Sequence, residues 1–442
     1  MLVGPPFREV RKIFEYTLRI CMKDVRPIWM NKYAMSIKTI MSVTPNVVSA
    51  IDNHNGGAGF GQFTRDDCAR EAGSDDQNRT TIQHEIRYSV APQPSPSERV
   101  VAVLVNYNGG DMNVAAIDSL IAERCGAIIV MDNASTDGSL ERLAARYGEQ
   151  IHLVRQSENV GFARACNAGA ALTDHEYILF FNNDATACEG MVSTMLSAML
   201  ADPNIGIAGP VVLEATKPDT VQSTGYTIDR WGFPVDRTQG LNVRDLPEAS
   251  VRDTFFVSGC ALMVRRSVFE ILLGFDERMF MFVEDVDLCW RTWLAGFRVV
   301  TLRGPKCLHF GGATAEVGKR DGSYRTSTFR IRERERNTIR SMLVNLNGLN
   351  LMLYIFFFLP ITIIEPIIWL ILGRVWVCRG YFDGFLLALH DLPDTLIQRR
   401  NVRRTRRCPD TVATRQWSIR YEKLFFALRN GVPSAARSGD ST

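Results

Sequence analysis

Tyr177-Ile178-Leu179-Phe180-Phe181-Asn182-Asn183-Asp184 is a continuous apolar run that ends in two amides and one carboxylate. Such a run reads as a strand of a parallel sheet, buried on both faces. Its carboxyl end delivers Asp184 to the place where open α/β sheets bind ligands. A second acidic cluster, Glu284-Asp285-Val286-Asp287, follows another apolar stretch, Phe280-Met281-Phe282-Val283.

Working outward from the first run, strands and helices alternate. Strands are expected at Val100–Val105, Ala127–Met131 and His152–Arg155, with helices at Met112–Arg124, Ser139–Tyr147 and Gly161–Leu172. That order implies an α/β domain with a mostly parallel sheet and right-handed crossovers. From about 205 to 256 the pattern loosens into short strands punctuated by Gly and Pro. Phe255–Val264 reads as a strand again, Glu284–Leu294 as a helix capped by Gly296, and Phe297–Leu302 as a further strand.

The 442 residues leave room for accessory segments, and a hydrophobic share of 46% excludes global disorder. The net charge of +3 argues neither for nor against nucleic acid, which is not expected as a partner. None of the ten cysteines forms a Cys-x-x-Cys pair, so they read as buried small residues in a reducing compartment. Residues 1–45 lack the apolar core and cleavage site of a secretory signal. The expected domains are a variable extension and linker over 1–98, a catalytic domain over 99–340, a membrane-associated segment over 341–380 and a basic amphipathic tail over 381–442.

Residues 349–372 are long and apolar enough for one membrane span, yet Pro360, Glu365 and Pro366 interrupt them. A glutamate at mid-bilayer is costly. The basic cluster Arg399-Arg400-Asn401-Val402-Arg403-Arg404-Thr405-Arg406-Arg407 would have to cross the membrane after a single span, against the positive-inside tendency. A re-entrant or in-plane arrangement is therefore preferred, with a membrane surface as partner and the arginines on anionic headgroups. A buried core helix is the alternative. Trp417–Leu428 reads as a further interfacial helix.

Several polar residues fall at strand ends. Asn106, Tyr107 and Asn108 close the first strand with no dinucleotide fingerprint after them, which disfavours a nicotinamide or flavin enzyme. They suit a nucleobase, or an ordinary turn. Asp132 and Asn133 close the second strand, where a carboxylate accepts from a base or a ribose hydroxyl. Gly161 and Phe162 start a helix where backbone can approach a ligand, and Asn167 is expected to point back to the crevice. One carboxylate beside Asn183 fits Mg2+ or Mn2+, which take few carboxylates and complete their shell with phosphate oxygens. Asp285, in a helix's first turn with Glu284 opposing its ionisation, suits a base that takes a proton from an acceptor hydroxyl. His309, among apolar residues and before two glycines, suits a metal or a phosphate. A carboxylate at a metal-held diphosphate plus a carboxylate base is the chemistry of sugar transfer.

As a set, Asn106-Tyr107-Asn108, Asp132–Gly138, Asn159–Ala163, Asn182-Asn183-Asp184, Phe275–Arg278 and Glu284–Asp287 resemble the family 2 glycosyltransferases, and within them the bacterial rhamnosyltransferase-type enzymes of surface polysaccharides. The resemblance covers roughly 99–340. It implies a GT-A fold, a divalent metal, inversion at the anomeric carbon and a dTDP- or UDP-linked nucleotide-sugar donor. It also implies a lipid-linked glycan acceptor at the cytoplasmic face of the membrane. By motif, Asp132 takes the nucleobase position, Asp184 the metal position, Asp285 the catalytic base and His309 a second metal position. Asn182 stands where the family pattern has its first aspartate. The donor sugar stays open between rhamnose, galactofuranose, glucose and an N-acetylhexosamine, and a non-catalytic nucleotide-sugar-binding scaffold is the alternative of another class.

Overall fold

A computed structural model describes residues 96–247, 250–311, 319–320, 323–423, 426 and 433–435. Residues 1–95 of the expected extension lie outside the described residues.

The first half is a run of strand–helix units: β1 (Val100–Asn106), α1 (Met112–Ala122), β2 (Ala127–Asp132), α2 (Ser139–Tyr147), β3 (His152–Arg155), α3 (Phe162–Ala170) and β4 (Tyr177–Asn182). The strands lie in the order β3-β2-β1-β4 and are all parallel. Burial explains their composition: Val100 to Leu104 and Ile178 to Phe181 are fully enclosed, so no polar alternation survives. The strand order reverses between β1 and β4, which opens a crevice beyond their carboxyl ends.

The sheet then turns mixed. β5 (Ala185–Ala187), α4 (Met191–Ala201), β6 (Ile205–Glu214), β7 (Lys217–Ser223), β8 (Thr227–Ile228), β9 (Pro234–Val235) and β10 (Val251–Asp253) follow. β11 (Ala261–Arg265) runs antiparallel between β4 and β6. The first part of the strand expected at Phe255–Val264 is irregular, held by a bridge between Tyr226 and Phe256. After α5 (Arg266–Ile271) and α6 (Glu284–Leu294), β12 (Arg298–His309) runs seven residues beyond the strand expected to end at Leu302. An irregularity between Thr301 and Lys306 lets it continue beside β6 and reach β5. The register then sets His309 opposite Ala185, next to Asp184. Gly296 takes the left-handed φ of +91° that ends α6, as its position after the helix predicts.

The chain continues as α7 (Thr328–Asn345), α8 (Gly348–Leu353), a π-turn (Tyr354–Phe358), α9 (Leu359–Ile371), α10 (Val375–His390) and α11 (Leu392–Thr405). α7 packs on both α10 and α11. The prolines do not break the apolar stretch, which is helical from Gly348 to Ile371. Pro360 falls in the first turn of α9, directly after the π-turn, where a missing N–H costs least. The basic cluster does not act as a unit. Arg399 is buried and caps the end of α7 through Leu343 O and Leu346 O, and Arg406 pairs with Asp410, while Arg400, Arg404 and Arg407 face solvent. Of the helix expected over Trp417–Leu428, residues 417–421 are not helical while Glu422, Lys423 and Phe426 are, and Trp417 packs on Phe255 and Trp290. The described cysteines are all unpaired.

Candidate active site

The end of β1 carries a hub of buried hydrogen bonds. Asn106 is fully enclosed, and its Nδ2 donates to Asp132 Oδ1 at 2.8 Å and lies 2.9 Å from Ser139 Oγ. Its Oδ1 accepts from Asn113 Nδ2 at 2.8 Å and Gly109 N at 3.2 Å. Asp132 is equally enclosed, and its Oδ2 accepts from Ser135 N at 3.1 Å. The two residues therefore fix the loops after β1 and β2. Asn108, with a left-handed φ of 50°, ties these loops together by accepting from Thr136 N at 2.8 Å. Tyr107 and Asn108 are only partly buried at the rim of the crevice.

Gly109 reaches across to the other wall. A Cβ there would lie 2.2 Å from Asn183 Nδ2 and 2.8 Å from Asn106 Oδ1, so the amides after β1 and after β4 meet at this glycine. Gly161, at φ +85°, approaches just as closely, with Phe162 N donating to Phe280 O at 2.7 Å. Asn133 Nδ2 reaches Gly161 O at 3.3 Å. Asn167 does not face the crevice. Its Oδ1 accepts from Phe275 N at 2.9 Å and its Nδ2 donates to Phe275 O at 3.0 Å, which fastens the loop leading to α6.

Asp184 and His309 sit together, with His309 Nε2 3.2 Å from Asp184 Oδ1. His309 Nδ1 lies 2.8 Å from Gln222 Oε1, an oxygen that can only accept, so Nδ1 donates to it while Nε2 faces Asp184. Gln222 belongs to β7, a polar strand with no periodic signal, and sequence reasoning missed it. Burial disfavours a charged imidazole, but Cys260 and the Asp184 carboxylate outweigh it and raise His309 to about 9. Among the described residues no cluster of three or more His, Cys, Asp or Glu side chains forms a closed metal cage.

Asp285 starts α6 under strain. Phe282 and Val283 both hold left-handed φ, 70° and 73°, which is a rare state for an aromatic and a β-branched residue. α7 supports that turn: Asn337 Nδ2 donates to Met281 O and Phe282 O, each at 2.9 Å. Asp285 Oδ2 accepts from Gly259 N at 2.9 Å, and a Cβ on Gly259 would meet that same oxygen at 3.4 Å. On the other side of the segment, Cys260 O accepts from Asn182 N at 2.9 Å. The β4 end that leads to Asp184 and the α6 start that carries Asp285 therefore flank one three-residue segment, Ser258-Gly259-Cys260. Burial raises the Asp285 carboxyl, against its bonds to Gly259 N and Val286 N and the charge of Arg334.

Glu284 and Asp287 differ from Asp285 in kind. Asp287 is fully enclosed and paired with Arg291 at 2.7 Å, with Ser341 and Asn345 on its other oxygen. Glu284 is buried, its Oε2 has no hydrogen-bond partner, and desolvation with the adjacent Asp285 charge pushes it up to about 8. The folded chain thus keeps a proton that the unfolded chain, with an ordinary value near 4.3, has already released at neutral pH. The stability this group lends is complete below about pH 4 and drains as pH rises toward about 8. Glu284→Gln should match the parent in urea denaturation near pH 4.5 and exceed it at pH 8.5 by a few kcal/mol, since each tenfold change in proton affinity is worth roughly 1.4 kcal/mol. Equal midpoints at both pH values would show that Glu284 is not held neutral.

A sequence model described as "Glycosyl transferase family 2" matches residues 102–272. The N-acetylglucosaminyl-diphospho-decaprenol L-rhamnosyltransferase of Mycobacterium tuberculosis is 28% identical over 212 residues, covering 43% of this chain and 68% of that protein. The dTDP-rhamnosyl transferase RfbF of Shigella flexneri is 26% identical over 220 residues, covering 48% and 69%. Among solved structures, GalNAc-T7 with UDP, GalNAc and Mn2+ superposes with a TM-score of 0.45 at 13% identity, over 55% of this chain and 47% of that one. The family match stops at 272, so Asp285 and His309 stand on the geometry described above.

Proposed function

With residues 102–272 belonging to the family 2 glycosyltransferases, the chain is a glycosyltransferase, and we propose that it is an inverting, metal-dependent enzyme. In this reading it moves a sugar, rhamnose first among the candidates, from a nucleoside diphosphate to a lipid-linked or polysaccharide acceptor. The observation that supports the reading is the shared Ser258-Gly259-Cys260 segment, which bonds the end of β4 that leads to Asp184 and also bonds Asp285.

Tyr107, Asn108, Asn183 and Phe162 line the rim where the nucleotide would enter, over loops that Asn106, Asp132, Asn133 and Gly161 hold in shape. Asp184 and His309 would hold Mg2+ or Mn2+, whose Lewis acidity favours departure of the diphosphate. Asp285 takes the proton of the acceptor hydroxyl as its oxygen bonds to the anomeric carbon and the carbon–phosphate-oxygen bond breaks, so the configuration inverts. Glu284, neutral and enclosed, keeps a second negative charge away from Asp285. The two rhamnosyl relatives motivate rhamnose as the donor sugar, and the decaprenol-linked substrate in one of their names motivates the lipid-linked acceptor.

The direct test is a donor screen by thermal shift and product release, with and without manganese. Stabilisation by dTDP-rhamnose that needs the metal supports the reading, whereas equal shifts by all nucleotide sugars, or none, would remove the donor assignment. Gln222→Ala leaves both proposed ligands in place but frees the imidazole. It should raise the manganese needed for half-maximal activity by roughly 10- to 100-fold, the usual loss when a ligand's outer partner is removed. An unchanged manganese requirement would take His309 out of the metal's shell.

A further inference from the structure

The apolar helix from Gly348 to Ile371 is 24 residues long, about 36 Å, which suffices to cross a bilayer, so length alone decides nothing. Its contacts decide. Leu351 and Tyr354 are buried near its start, and Phe358 meets Trp231 with ring centroids 5.0 Å apart. Further along, Glu365 accepts from Tyr381 OH at 2.6 Å and Tyr421 OH at 3.0 Å and pairs with Lys423 at 2.9 Å. Lys423 also pairs with Glu335 of α7 at 2.8 Å. Trp369 closes the series, packed with Val377, Tyr381 and Ile331. Positions 351, 354, 358, 365 and 369 follow three-, four- and seven-residue spacing, so they form one stripe along the whole helix. The carboxylate that looked misplaced in an apolar helix is thus its tether to the folded domain. Burial opposes its ionisation, but Lys423 and the tyrosine hydroxyls outweigh burial and keep it charged.

The rest of the helix surface is apolar and open: Phe357 is 64% exposed and Ile371 79%, with Ile364 and Ile368 between them. α10 returns antiparallel, since Trp369 meets Val377 while Glu365 meets Tyr381 further on. It adds Phe382 and Leu386 to the same kind of face, at the four-residue spacing of one helix side. Charge at the border is cationic. Arg374 sits in the turn between the helices, Arg379 is 77% exposed on α10, and Arg420 is exposed next to Tyr421. Asp383, paired with Arg379, and the inward Glu365 are the only acidic residues between Gly348 and Leu389.

We propose that this two-helix face lies in the plane of a lipid surface with anionic headgroups, sunk into one leaflet, and does not cross the bilayer. A crossing helix would have lipid on all sides at its midpoint, yet here the domain occupies one side from end to end. An apolar stripe with a cationic border is the pattern of an interfacial helix. The inference extends the reading above, in which the acceptor is lipid-linked. Trp231, from the β8–β9 turn, joins this face to the domain that carries Asp285.

The test is flotation of the full chain with phosphatidylcholine vesicles, with and without phosphatidylglycerol. Ile364→Glu with Ile368→Glu changes only solvent-facing side chains. It should lower the vesicle-bound fraction by roughly tenfold or more, the scale of losing two inserted aliphatic groups. Ile271→Glu, on α5, should leave binding unchanged. In sealed membranes of expressing cells, a tag appended after Thr442 should be digested from the same face as the catalytic domain. A tag on the opposite face, no preference for phosphatidylglycerol, binding indifferent to the two glutamates, or self-association in place of vesicle binding would each overturn the proposal. Transfer to a short-chain, water-soluble acceptor should persist in the double variant. Vesicle binding without any such transfer in the parent chain would instead remove the enzymatic reading and leave the membrane face standing.

Discussion

Asp285→Asn is expected to lower sugar transfer by roughly 10²-fold or more, the usual scale for a lost general base, while donor binding stays in place. The substitution keeps the shape of the side chain and an oxygen for Gly259 N, which now bonds Asp285 Oδ2 at 2.9 Å. The strained turn at Phe282 and Val283, the Asn337 bonds that hold it and the whole Asp184–His309 pair are untouched. What is lost is one acceptor of a proton at the moment the acceptor oxygen attacks. The measurement is turnover at saturating donor and manganese, beside donor affinity by calorimetry. If affinity falls as far as turnover, Asp285 acts in binding the donor and the assigned role is wrong. If turnover is unchanged, the proton leaves by another route. The pH profile gives a second check. Burial raises the Asp285 carboxyl, so activity should fall on the acid side at a higher pH than an exposed aspartate would give.

Much of this site was legible because its parts are local. A buried strand announces itself as an unbroken apolar run, and a residue just past its end has one place to go, at the crevice. That logic put Asp184 just past the end of β4, and the apolar run before Glu284 put Asp285 in the first turn of a helix, which is where the fold has them. The α/β order of β1 to β4 followed from the same signals. What stayed hidden depends on partners far along the chain. α7 reads Arg-Ile-Arg-Glu-Arg-Glu-Arg-Asn from Arg330, a helix that by composition belongs in water. In the fold, Arg340 is buried against Asp276, 64 residues earlier, and the partly buried Arg336 pairs with Asp391, 55 residues later. Glu365 looked like an obstacle in an apolar helix because Lys423 lies 58 positions away. His309 was read as following a strand that ends at Leu302. The irregularity there instead carries the strand on to its pairing with β5. These features have one physical origin in common: a charge or a break looks unfavourable until its distant partner is known.

Arg291→Met should cost about 3–5 kcal/mol of folding stability, the scale for removing one member of a buried ion pair. Arg291 is 1% exposed and Asp287 is wholly enclosed, one helical turn apart on α6, with 2.7 Å between Nε and Oδ2. The arginine also donates to Leu272 O at 2.8 Å and Gly274 O at 2.9 Å, so it ties the helix to the loop before it. Methionine fills similar space but leaves Asp287 with only the neutral donors Ser341 and Asn345, and leaves two buried carbonyls unbonded. Adding Asp287→Asn removes the stranded charge. The double variant should therefore be more stable than Arg291→Met alone, a coupling that a double-mutant cycle in urea reads directly. Strictly additive losses would mean the pair contributes nothing beyond packing. Its functional consequence separates structure from chemistry. Asp287 stands two residues after Asp285 but faces α7, so the pair sets where α6 begins without touching a reacting atom. Turnover lost in Arg291→Met should return in the double variant along with stability, whereas Asp285→Asn admits no such rescue.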